Sequence, residues 1–180
     1  MATKYVVLLR GINVGGRNKV LMADLRAAFE SAGYESVSTY IQSGNVLLTT
    51  DITPDGLESE IEAMLGRRFG LPLIVVVRSH EQIRAVVQRA PDGFGTDPGT
   101  HHSDTIFLKT PLTTEQVMHV VRLREGVDAV WAGDGVVYFQ RLAARRTESR
   151  MSAIVGTPEY QQMTIRSWST TMKLLALLDA

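Results

Sequence analysis

The chain has 180 residues, with 19 lysines and arginines against 19 aspartates and glutamates, and no cysteine. The missing cysteine excludes disulfides, thiolate metal sites and cysteine nucleophiles, and the charge balance argues against a bulk electrostatic grip on nucleic acid while leaving room for a local basic patch. No apolar run approaches the roughly 20 residues of a membrane helix, and no long apolar stretch follows the first basic residue, so the sequence reads as a soluble, cytoplasmic protein without a signal peptide.

Tyr5 to Leu9 is a short apolar run and reads as a buried strand. A loop with three glycines follows, Gly11, Gly15 and Gly16. Leu21, Leu25, Ala28, Phe29 and Ala32 then recur at helical spacing, and Gly33 stops that helix. Val37 to Ile41 and Val46 to Thr50 read as strands around Ser43-Gly44, a hairpin signal. Thr53-Pro54-Asp55 reads as a helix start, with a capping hydroxyl, Pro at the first helical position and then an acid. Leu57, Ile61, Met64, Leu65 and Phe69 supply the stripe of that helix, and Gly70 ends it. Leu73 to Val77 is an apolar strand.

Ser79 and Gln82 have the spacing of a capping box for a linking helix that stops at Pro91. Residues 91–103 are turn-rich and read as a loop. The first pattern then returns: a strand from Thr105 to Leu108, a helix from Thr113 to Arg124 closed by Gly126, strands from Val127 to Trp131 and Val136 to Phe139, a helix from Thr147 to Val155, and a short strand from Met163 to Arg166. A helix carrying Met172, Leu174, Leu175 and Leu178 closes the chain.

The order β-α-β-β-α-β is that of a ferredoxin-like plait. The expected fold is α+β: two ferredoxin-like halves packed as one compact unit. The first half covers residues 1–78, a linking helix and loop 79–103, and the second half with the C-terminal helix 104–180. Leu73 to Val77 would be an edge strand, so something must cover or extend it.

In this topology the loop after the first strand and the turn between the second and third strands lie at the same end of the sheet. Arg10 and Asn13 are therefore expected beside Gln42, Ser43 and Asn45, in one cleft. Lys19 adds a second cation, and no acid occurs from Leu8 to Met22. Glycines, amides, hydroxyls and permanent positive charge are suited to holding an anion. Arg166 and Trp168 form a further candidate pair for anion contact and stacking. The alternative for each group is structural: turn glycines, solvated polar groups, and a core tryptophan.

Four segments carry a resemblance. Leu8-Leu9-Arg10-Gly11-Ile12-Asn13-Val14-Gly15-Gly16, Met22-Ala23-Asp24-Leu25-Arg26, Thr39-Tyr40-Ile41-Gln42-Ser43-Gly44-Asn45-Val46 and Thr164-Ile165-Arg166-Ser167-Trp168-Ser169-Thr170 are similar to motifs of the bacterial domain-of-unknown-function 1697 family. The resemblance spans nearly the whole chain. It implies two ferredoxin-like halves and brings no established activity. The family's last motif usually reads Arg-Asn-Trp-Asn-Thr; Arg166 and Trp168 match it, whereas Ser167 and Ser169 replace the asparagines.

Weaker signals have plainer explanations. The glycine loop is not a P-loop, because Gly16 is followed by Arg17. His101 and His102 lie between Asp97 and Asp104, but adjacent histidines in a loop rarely close a metal site, so no metal is expected. Arg141, Arg145, Arg146 and Arg150 read as a solvated basic face. Asp51, Asp55, Glu58, Glu60 and Glu62 suit the dipole of a helix N-terminus.

The candidate site contains no histidine, and Asp24 is the acid nearest to it, so equipment for proton transfer is missing and catalytic residues and cofactor stay unassigned. The expected function is binding of a small anionic ligand, phosphorylated or nucleotide-like, in the cleft of the first half. The alternatives are an enzyme acting on a phosphorylated substrate, or an RNA-binding plait, disfavoured because the central strands lack its aromatic pattern.

Overall fold

Every residue of β1 (Thr3–Leu9) from Tyr5 onward is buried, because β1 lies inside a four-stranded antiparallel sheet. It pairs with β3 (Asn45–Thr50) on one side, Leu8 opposite Asn45, and with β4 (Val75–Ser79) on the other, Leu9 opposite Val75. β2 (Glu35–Tyr40) pairs with β3, so the order is β2-β3-β1-β4. Tyr5, Val7 and Leu9 face α1 (Met22–Ser31) and α2 (Pro54–Phe69), whose Leu25, Phe29, Leu57, Ile61 and Leu65 complete one core. Helical period meeting strand period in this way gives the two-layer plait.

The computed structural model describes residues 1–180. The chain divides into two units: Met1–Ile83 with Leu174–Ala180, and Arg84–Lys173. The second unit contains β5 (His101–Leu108), α4 (Thr114–Val120), β6 (Asp128–Ala132), β7 (Val136–Leu142) and β8 (Met163–Ser167). Its sheet has the order β6-β7-β5-β8, the same ferredoxin-like topology. Ile106, Leu108, Val117, Val137, Phe139 and Ile154 form its core. α3 (His80–Gln88) and α5 (Trp168–Asp179) each cross the boundary between the units. No helix is long and apolar enough to cross a membrane.

Several boundaries differ from the sequence-based expectation. β5 begins at His101, so residues 101–103 are strand rather than loop. They pair with Leu142, Arg141 and Gln140 of β7, and this pairing overrides their turn-like composition. α4 ends at Val120 because Val121 is extended, not at Arg124. Residues 143–162 fold as short 3-10 turns, not as an α-helix over 147–155. Thr53 contributes no side-chain cap, since Asp55 and Gly56 are non-helical and the regular helix starts after them. The last residues, Leu174–Ala180, group with the first unit rather than the second. There Lys4 Nζ donates to the carbonyls of Leu178 and Ala180 at 2.9 and 2.8 Å, and His80 Nε2 lies 2.6 Å from Asp179 Oδ1.

The edge strand β4 is covered by side chains. Glu58 Oε1 accepts from Val77 N at 3.0 Å and Glu62 Oε1 from Val75 N at 3.2 Å. One helical turn separates the two acids, and two residues separate the two amides, so helix and strand periods coincide. Charged acceptors on an edge also block strand addition. Glu58→Ala and Glu62→Ala are each expected to lower unfolding free energy by about 1–2 kcal/mol, read by urea denaturation. The double variant should also self-associate, read by light scattering.

Candidate functional site

The end of β1 and the β2–β3 turn meet through backbone: Leu9 N donates to Gly44 O at 2.8 Å. Gly44 is required there. Its φ is +89°, and a Cβ would stand 2.6 Å from Ile12 Cδ1. Arg10 follows, half-buried, with its N–H bonded to Ile74 O at 2.9 Å. The loop then turns through Asn13 (φ +54°), a left-handed conformation that asparagine tolerates.

Asn13 does not offer its amide to a ligand. Its Nδ2 donates to Val20 O and Gln42 O, both at 2.9 Å, and its Oδ1 accepts from Val20 N at 2.9 Å. Asn45 is fully buried, with Nδ2 donating to Tyr40 O at 2.9 Å and Ser43 Oγ at 3.2 Å. These polar residues fix the loop and the turn. A cleft of about 300 Å³ opens beside them, walled by Asn13, Lys19, Val20, Leu21, Met22 and Gln42. Arg10, Ser43 and Asn45 are not in its wall. Lys19 is exposed, and α1 begins at this wall: Leu21 is its N-cap residue and provides no side-chain cap. The cleft thus combines an ammonium group with the uncapped first turn of a helix, both favourable to negative charge.

Arg166 and Trp168 belong to the second unit. Arg166 is buried on β8, its Nη1 donating to Thr164 Oγ1 at 2.9 Å and Ile165 O at 3.1 Å. Burial pulls its pKa down to about 10. Trp168 is half-exposed at the start of α5 and lines a cavity of about 490 Å³ with His101, His102, Asp104, Ser167 and Ser169. Sequence reasoning left this cavity out. Trp168 stands out as a stacking candidate and His101 and His102, between Asp97 and Asp104, as a weak metal signal, but nothing local in the sequence joins the two groups. Burial pushes the Asp104 carboxyl above the usual range, with Arg141 and then His102 opposing the shift. No group of three or more His, Asp or Glu is arranged to hold a metal ion. In the basic run Arg145 is paired with Glu148 at 2.6 Å.

The order of the strands and the two-fold use of the plait bear directly on comparison with known proteins. A family model described as a protein of unknown function, DUF1697, matches residues 2–138. The chain belongs to the DUF1697 family. The matched stretch includes the Arg10 loop and the Ser43 turn and ends before the motif around Arg166 and Trp168. The chain is also similar to the solved structure of the conserved bacterial protein SP0830 from Streptococcus pneumoniae, with 26% identity over 99% of both chains and a TM-score of 0.87. No curated protein matches it.

Asn13→Ala leaves one N–H and two carbonyls without their partner and is expected to cost about 2–3 kcal/mol, whereas Gln42→Ala, which keeps the backbone acceptor, should leave stability within about 0.5 kcal/mol. Chemical denaturation of both variants separates the two residues. Asp104 has a second expected signature. A carboxyl whose folded pKa is raised favours the fold below its unfolded pKa and loses that advantage as pH rises through the folded pKa. Asp104→Asn should therefore raise the melting temperature at pH 7, with the gain shrinking as the pH falls toward about 4.

Proposed function

We propose that this protein binds a small anionic ligand, phosphorylated or nucleotide-like, in the cleft beside the Asn13 loop. The observation that carries the reading is the uncapped N-terminus of α1, which opens into a cleft walled by Lys19. Helix N–H groups and an ammonium together favour a phosphate or carboxylate. No acid occurs from Leu8 to Met22, and Asp24 in the first turn of α1 lies outside the cleft wall. Arg10, at the root of the loop, adds positive potential. Ser43 and Asn45 support the turn that carries Gln42.

Binding is favoured over catalysis by composition of the wall. It contains no histidine and no carboxylate to move a proton. A ligand held there is positioned and not chemically altered by the residues that touch it.

One charge-assisted hydrogen bond contributes about 1.5–3 kcal/mol. Lys19→Ala should therefore weaken binding of inorganic phosphate or a phosphorylated metabolite about tenfold or more, with an unchanged melting temperature. Arg10→Ala should weaken it as well, through longer-range attraction. A calorimetric titration of wild type and both variants checks this. If no anion binds or stabilises the wild-type protein, the reading is wrong.

A further inference from the structure

The cavity of the second unit has the opposite chemistry. It lies where α5, the segment around Gly95 and the start of β5 converge. β8 covers β5 only from Asp104 onward, so His101, His102 and Ser103 border the opening beyond the end of β8. No lysine or arginine lines it. An anion would meet Asp104 and no lysine or arginine in the wall, so the ligand class of the first cleft does not fit here.

Its walls are rigid where rigidity counts for ring recognition. Phe94 stands edge-on to Trp168 at 5.1 Å, and Tyr138 lies 6.4 Å away. Tyr138 is itself tied by its hydroxyl to Val86 O at 2.5 Å. Gly95, with φ +72°, passes so close to the indole that a Cβ would clash with Cδ1. The ring is thus fixed in place before any ligand arrives, while remaining half-exposed toward the cavity. Ser167 and Ser169 add hydroxyls 3.1 Å apart at the start of α5. Burial is the main influence on the Asp104 carboxyl, with charge from Arg141 and then His102 opposing it. A half-buried carboxyl lining a cavity is well served by a donor that a ligand supplies. The volume lies in the range of small-molecule sites.

We propose that this cavity binds a small planar nitrogen heterocycle of the nucleobase type, neutral or cationic, stacked on Trp168 with its ring N–H groups donating to Asp104. Stacking on a fixed aromatic ring tolerates different bases. Asp104 then selects those with adjacent N–H donors, the guanine and 2-aminobenzimidazole pattern, over those presenting acceptors.

Guanosine and 2-aminobenzimidazole carry that pattern without a phosphate, and uridine serves as the acceptor-rich control. Titration of the Trp131→Phe protein, whose remaining tryptophan is Trp168, should show saturable quenching by the first two and at least about tenfold weaker quenching by uridine. Asp104→Asn should reduce guanosine affinity about tenfold and leave the fold intact. Gly95→Ala should abolish quenching by displacing the indole. Should Gly95→Ala unfold the protein, Asp104→Asn still decides the matter. Lys19→Ala should change none of these values. The proposal is overturned if neither probe saturates, or if Asp104→Asn binds guanosine as tightly as the parent.

Discussion

Asn13 holds the first unit's loop end together with a single side chain. Its amide bonds Val20 in both directions and reaches across to the carbonyl of Gln42. The chain segments before α1 and after β2 therefore move as one piece, and the cleft between them keeps its shape. Asn13 takes up this place with a left-handed backbone, a conformation asparagine tolerates. Everything proposed for the cleft depends on that stitch, since Lys19 and the first turn of α1 are placed by it.

Polar residues that look like ligand contacts in a sequence are divided by the structure into two kinds. Asn13 bonds backbone and Asn45 bonds backbone and the Ser43 hydroxyl, which makes the burial of Asn45 tolerable. Lys19 and Gln42 project from the frame so made. The same division applies in the second unit. Arg166 is buried and bonded to neighbours on its own strand, while Trp168, two residues on, lines a cavity. One motif thus supplies a scaffold residue and a cavity residue because β8 ends at Ser167 and α5 begins at Trp168.

The starts of α1 and α4 differ between the two units. In the first unit α1 starts without a side-chain cap. In the second, α4 starts with Thr113 and Gln116 forming a full capping box, so its first turn is closed to anions. The same topology carries a cleft walled by Lys19 in one unit. In the other it carries a cavity bordered by an indole and a carboxyl.

The order of elements was legible in the sequence because it rests on local signals. Gly33 and Gly70 end α1 and α2, the latter in a left-handed cap, and Ser79 and Gln82 bond reciprocally as their spacing implies. The meeting of the Arg10 loop with the Ser43 turn followed from plait topology alone. Long-range pairing was illegible. His101 to Ser103 look like loop until β7 pairs with them, and Glu58 and Glu62 look like dipole acids until β4 presents its edge amides. The sequence by itself determined most of the elements and their order, since glycine, caps and periodicity act within a few residues; the 3-10 turns over 143–162, expected as helix over 147–155, are the exception. Only the tertiary structure decided which polar groups are spent on the fold and which face a cavity, because that depends on neighbours distant in the chain.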